Sequence, residues 1–180
     1  MVYMFLAEGF EEIEALCPLD LMRRAGLEVR TVGVGSKTVT GAHGIAVIAD
    51  MTIDEYAVGN ADMIFLPGGM PGTLNLAANK TVINAVKNAS DGGKYIAAIC
   101  AAPSILGDMG LLDGKEAICY PGFEDRLTGA KISQKSVVRD GNIITAAGMG
   151  VALDFGLEIV KLFCGEKKAC ELRHSVIAAK

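Results

Sequence analysis

The chain is poor in the residues that build metal and nucleic-acid sites. It has two histidines, His43 and His174, and five cysteines with no C-x-x-C pair among them. That spacing matches neither a zinc knuckle nor a disulfide framework, so a structural metal site would need an unusual assembly and the thiols are expected to be reduced. Basic residues never run beyond pairs such as Arg23-Arg24 and Lys167-Lys168, and the net charge is −4, which argues against a nucleic-acid surface. No apolar stretch reads as a membrane span or secretory leader. Val2-Tyr3-Met4-Phe5-Leu6 is too short, and Glu8, Glu11 and Glu12 follow at once. A soluble, cytoplasmic protein with no membrane or nucleic-acid partner is the expectation. Internal repeats, linkers and low-complexity segments are also lacking. Gly33-Val34-Gly35-Ser36-Lys37-Thr38 lacks the G-x-x-x-x-G-K spacing of a phosphate-binding loop.

What is present is an alternation of short apolar runs with helical patterns across 180 residues, half of them hydrophobic. Strands are expected at 1–6, 27–34, 44–49 (paired near 38–40), 63–66, 95–99, 115–119, 136–139 and 142–146. Helices are expected at 11–25, 79–90, from Ala101, at 150–164 and at 166–178. Gly141-Asn142 after Asp140 has the signature of a hairpin turn. This alternation predicts one α/β domain over 1–180, a doubly wound, mostly parallel sheet with helices on both faces. Sites in such sheets form beyond the carboxyl ends of the strands. Three loops leave those ends: Ala7-Glu8-Gly9-Phe10, Pro67-Gly68-Gly69, and the segment beginning at Cys100.

The run Tyr95-Ile-Ala-Ala-Ile99 stops at Cys100, and small residues follow where a helix is expected to begin. A nucleophile on such a sharp turn stands clear of the sheet. A nearby helix N-terminus would favour its thiolate. The competing reading of Cys100 is a small buried apolar residue. Gly68-Gly69 can bring backbone N–H groups close to a ligand, and Gly69 with the N–H of Ala101 would form an oxyanion hole; otherwise the pair is a plain tight turn. Glu14 lies in the first helix beside Pro18, which removes the hydrogen bond to the carbonyl of residue 14 and is expected to distort the helix there. A carboxyl partly buried beside a thiol has a raised pKa and can act as general acid and base. These arguments do not choose Glu14 over Glu11 or Glu12.

Ala7-Glu8-Gly9-Phe10-Glu11-Glu12-Ile13-Glu14-Ala15, Pro18-Leu19-Asp20, Arg23-Arg24-Ala25-Gly26, Leu66-Pro67-Gly68-Gly69, Ala97-Ala98-Ile99-Cys100-Ala101-Ala102-Pro103 and Gly148-Met149-Gly150 together resemble the DJ-1/ThiJ/PfpI superfamily, above all its DJ-1 branch. The resemblance spans essentially the whole chain. It implies a flavodoxin-like fold with a nucleophile-elbow cysteine and a homodimer. It matches Cys100 to the family's reactive, oxidisable cysteine, Glu14 to the protonated glutamate bonded to it, and Gly69 and Ala101 to the backbone donors at the sulfur. It implies cofactor-free processing of small α-oxoaldehydes, of the glyoxalase III or deglycase kind, with redox sensing or a stress-linked chaperone as the alternative. A small aldehyde or an oxidant is then the partner. Two departures stand out: Ala101 occupies the position where the peptidase branch carries histidine, and Tyr120 stands before Pro121 where the DJ-1 branch carries one. Peptidase chemistry is thereby weakened, and a role in thiamine-precursor synthesis has no residues to support it. Tyr120 remains a pocket candidate as a hydroxyl donor. His43 is either another pocket residue or a surface turn residue between Gly41 and Gly44.

Overall fold

The computed structural model describes residues 1–57, 59 and 61–178. In chain order the elements are β1 (Val2–Ala7), α1 (Glu12–Arg24), β2 (Val29–Val34), β3 (Thr38–Thr40), β4 (Ala46–Ile48), β5 (Met51–Thr52), β6 (Met63–Leu66), α2 (Gly72–Ala78), α3 (Lys80–Asp91), β7 (Tyr95–Ile99), α4 (Pro103–Asp108), β8 (Glu116–Ala117), β9 (Lys131–Ile132), β10 (Val137–Asp140), β11 (Ile143–Ala146), α5 (Ala152–Cys164) and α6 (Glu166–Ser175). Seven strands form the central sheet in the order β10-β11-β7-β6-β1-β2-β5. Every pairing in it is parallel except β10 with β11, which the turn at Gly141-Asn142 joins as an antiparallel hairpin. This is the doubly wound α/β architecture read from the alternation of apolar runs. The β3–β4 pair is the hairpin expected near 38–49.

Period-two alternation sorts the strand side chains into two cores. Phe5, Ile64, Leu66, Ile96 and Ala98 point to one face, where α2, α3 and α4 supply Leu76, Val82, Val86, Ile105 and Leu106. Met4, Leu6, Met63, Phe65, Ala97 and Ile99 point to the other, against Ala15, Leu19 and Met22 of α1 and Phe155 and Ile159 of α5. With both faces covered, the central strands read as continuous apolar runs rather than alternating ones. Each fully buried large side chain contributes roughly 2 kcal/mol, so these layers fix the strand ends that carry the site.

α1 stays helical from Glu12 to Arg24 through Pro18. α5 rests on that turn so closely that a Cβ at Gly156 would stand 2.9 Å from the Pro18 Cα. The helix expected from Ala101 starts at Pro103, with Cys100, Ala101 and Ala102 in a turn. α2 was not foreseen: it has no side-chain cap, and backbone bonds such as Gly72 N–H to the Gly9 carbonyl at 3.1 Å hold its start.

Candidate active site at Cys100

The strand β7 delivers Cys100 to the carboxyl edge of the sheet with φ of 65°, a left-handed conformation that non-glycine residues rarely adopt. Two backbone bonds hold it there. The Cys100 N–H donates to the Ala146 carbonyl at 2.9 Å, and the Cys100 carbonyl accepts from the Tyr120 N–H at 2.8 Å. Strain of about 1–3 kcal/mol is thus maintained by β11 on one side and the bend at Tyr120 on the other, and it lifts the sulfur out of the sheet. The thiol itself is half-buried.

The loop after β6 crosses directly over this elbow. The Gly68 carbonyl accepts from the Glu11 N–H at 2.9 Å, which ties the loops after β1 and β6 together. A Cβ at Gly68 would stand 2.5 Å from Oε2 of Glu14 and 2.6 Å from the Cys100 Cβ, so only glycine fits. The three loops singled out in the sequence therefore meet in one crevice. Backbone N–H groups of Gly69 and Ala101 donate to the Cys100 sulfur.

Each glutamate of the first turn has a different task. Glu11 is the N-cap residue, its Oε2 accepting from the Glu14 N–H at 2.7 Å. Glu12 is buried and holds the β3–β4 loop: Oε1 accepts from the N–H of His43 at 2.8 Å and of Ile45 at 3.4 Å, while Oε2 lies 2.9 Å from His43 Nδ1. Glu14 alone turns to the sulfur. It is 1% exposed, accepts from Gly68 N–H at 3.1 Å and from Met149 N–H, and shares a side-chain hydrogen bond with Cys100.

Burial raises the Glu14 pKa to about 7, with the Glu11 charge adding to it, against the hydrogen bonds from Cys100, Gly68 and Met149. Burial also pushes the Cys100 thiol up to about 12, followed by the Glu14 charge and the bond to it, while the two amides pull it down. This corrects the expectation of a thiolate favoured by a helix N-terminus: α4 begins three residues beyond the sulfur and is only six residues long. The pair as a whole loses one proton near neutrality and then carries one negative charge between two atoms. A nucleophile, a carboxyl able to give or take its proton, and two amides on the sulfur are the equipment for addition to a carbonyl.

Tyr120 stands beside the pair. A side chain at Gly148 would lie 3.3 Å from its ring and 3.7 Å from Glu14 Oε1. His43 is a strongly exposed turn residue bonded to Glu12, and that bond raises its pKa. Among the described residues, Glu11, Glu12 and His43 bring three possible metal-ligating atoms within 4.8 Å of one another, and Glu12 and His43 are hydrogen-bonded to each other there. The Met149 N–H was not anticipated as a donor to Glu14, although the motif Gly148-Met149-Gly150 marked the place. A groove of about 590 Å³ between β10 and the α5–α6 pair contains none of these groups.

Comparison with known proteins finds relatives over nearly the whole chain. The DJ-1/PfpI family profile matches residues 1–162. Protein dj-1beta of Drosophila melanogaster is 33% identical over 177 residues, 97% of this chain and 95% of that protein. Glutathione-independent glyoxalase DJR-1.2 of Caenorhabditis elegans is 31% identical over 175 residues, 96% of this chain and 93% of that one. The crystal structure of a DJ-1 superfamily protein from Salmonella typhimurium superimposes with a TM-score of 0.93 at 34% identity, covering 99% of this chain and 98% of that one.

Proposed function

The chain belongs to the DJ-1/PfpI family, and from that premise we propose that it processes small α-oxoaldehydes through Cys100 without a cofactor, converting methylglyoxal to lactate. The observation that carries this reading is the hydrogen-bonded pair of Cys100 and a buried Glu14 whose pKa is near 7. The sulfur attacks the aldehyde carbon, its proton passes to Glu14 as the C–S bond forms, and Glu14 hands that proton to the alkoxide, so the carbonyl becomes a hydroxyl and Glu14 is again a carboxylate. N–H groups of Gly69 and Ala101 steady the developing oxyanion. Glu14 then takes the proton from the former aldehyde carbon and returns it to the adjacent carbon, while the hydroxyl proton moves to the neighbouring ketone oxygen, leaving a thioester of the hydroxy acid. Water cleaves that thioester, and the thiol recovers its proton. No electrons enter or leave overall. The same addition to sulfur supports a related deglycase reaction. The family resemblance also assigns the protein a homodimeric state, which sedimentation of the purified chain tests.

Lactate formation by wild type, Cys100→Ser and Glu14→Gln is the direct test. The expected result is lactate from wild type and none above background from either variant. Lactate from Cys100→Ser at the wild-type rate defeats the proposal. A second reading, a redox sensor, is favoured by the half-buried thiol with amide donors already on its sulfur. Peptidase chemistry has less support, because the ring of His43 is engaged with Glu12.

A further inference from the structure

Among the described residues, three exposed large apolar side chains lie next to groups that hold the reacting pair: Met70 at 45%, Tyr120 at 51% and Met149 at 53%. Each is tied through the backbone to the reacting pair. Met70 follows Gly69, whose N–H reaches the sulfur; the Tyr120 N–H bonds the Cys100 carbonyl; the Met149 N–H bonds Glu14. Exposed apolar groups around a buried polar pair are a recognition surface rather than core packing.

Building on the α-oxoaldehyde reading, we propose that this rim, led by the Tyr120 ring, selects substrates whose ketone carbon carries an aromatic substituent over those carrying a methyl group. Once the aldehyde carbon is bonded to the sulfur, Glu14 has to reach both that carbon and its neighbour. The substituent on the neighbour then extends past Glu14. On that side lies Gly148, with the Tyr120 ring 3.3 Å and Glu14 Oε1 3.7 Å from where a side chain would begin. The absence of that side chain lets the Tyr120 ring close up beside Glu14, and the exposed part of the ring is the surface left for the substituent. An aryl group there meets the tyrosine in an edge or offset arrangement and removes apolar surface from water, whereas a methyl group leaves most of the ring wet.

The experiment compares phenylglyoxal with methylglyoxal, scored by the product acids mandelate and lactate so that side reactions with arginine do not count. Wild type is expected to favour phenylglyoxal in kcat/KM by about tenfold, the scale of one aromatic contact plus its burial. Tyr120→Ala should lower kcat/KM for phenylglyoxal about tenfold more than for methylglyoxal, through KM. Tyr120→Phe should keep the preference, because the ring and not the hydroxyl supplies it. No preference in wild type, or a preference that survives Tyr120→Ala, overturns the inference. Should neither aldehyde be turned over, the enzymatic reading fails, and alkylation of Cys100 by N-phenylmaleimide and N-ethylmaleimide reads the rim on its own. A phenyl-to-ethyl rate ratio well above that of free glutathione, lost in Tyr120→Ala, sustains the aromatic selectivity. A ratio equal to that of glutathione removes it.

Discussion

The carboxyl of Glu14 and the thiol of Cys100 are hydrogen-bonded to each other; the bond favours the Glu14 carboxylate against its burial, while burial and the Glu14 charge make Cys100 hold its proton more tightly. Removing the first proton from the pair, near pH 7, produces either a thiolate beside a carboxylic acid or a thiol beside a carboxylate base. Both forms attack an electrophile with the same pH dependence. Alkylation of Cys100 by iodoacetamide should therefore rise as pH passes about 7 and then level off. Glu14→Gln leaves only the desolvated thiol to ionise, so its midpoint should move upward and its rate at pH 7 should fall by about tenfold or more. Rates at a series of pH values, with the modified peptide identified by mass, decide it. An unchanged midpoint in the variant would show that the two groups do not titrate together.

Gly68 separates the members of this pair from the loop above them. Gly68→Ala would place a methyl group 2.5 Å from Glu14 Oε2 and 2.6 Å from the Cys100 Cβ, against a backbone with no room to yield. We expect a stability loss of about 1–3 kcal/mol by denaturant titration, and a collapse of Cys100 alkylation. Gly150→Ala is the matched control, since a Cβ there meets nothing within 4 Å and its stability should stay near wild type. Equal behaviour of the two variants would mean that the crevice is looser than this geometry.

Most of the sheet was legible because its strands are buried on both faces and therefore stand out as apolar runs. Met63–Leu66 and Tyr95–Ile99 agree to the residue. The crevice was legible for the same reason: strands of known direction place the loops at Glu8, Pro67 and Cys100 on one edge. What could not be read was decided by long-range backbone bonds. α2 lacks a capping side chain and is held by Gly9. The Met149 N–H arrives at Glu14 from the far end of the chain. Glu11, Glu12 and Glu14 are equivalent in composition, and only the helix phase with the β3–β4 loop sends one to its own cap, one to His43 and one to sulfur. The upward shift of the thiol was illegible because burial, which the sequence does not display, outweighs the nearby dipoles.

A buried carboxyl with a raised pKa carries a pH signature in stability. Glu14 has an ordinary value of 4.5 and a native value of about 7. Below about 4.5 both folded and unfolded chains hold its proton; between 4.5 and 7 the folded chain alone holds it. Stability from this group is thus fully present at low pH and lost as pH rises through about 7. Glu14→Gln, which stays neutral, should be more stable than wild type at pH 8, by up to about 3 kcal/mol less whatever hydrogen bonding the amide forfeits. Urea titrations at pH 5 and pH 8 should show the difference between the two proteins growing with pH. A difference that stays constant would place the carboxylate in a better solvated position than the one described.

Oxidation discriminates the sensor reading from the enzymatic one. Cys100 is half-buried, yet its sulfur already receives the Gly69 and Ala101 N–H groups, which can serve equally well on sulfinate oxygens. Cys119 is buried, and its thiol is pushed up to about 11 by desolvation and the charge of Glu124, so it should be inert. Cys170 is exposed on α6, its sulfur 3.7 Å from His174 Nδ1, and serves as the internal comparison for an accessible thiol outside the crevice. Mild peroxide should add two oxygens at Cys100 before it modifies Cys170 or the eight methionines. Glu14→Gln should slow the first addition at neutral pH, because the pair no longer releases a proton near 7. Peptide mass mapping over a time course reads both effects. Oxygen appearing first on Cys170 and the methionines would remove the sensor role. Selective oxidation of Cys100 in a protein that forms no lactate would leave the sensor role as the function of the same pair.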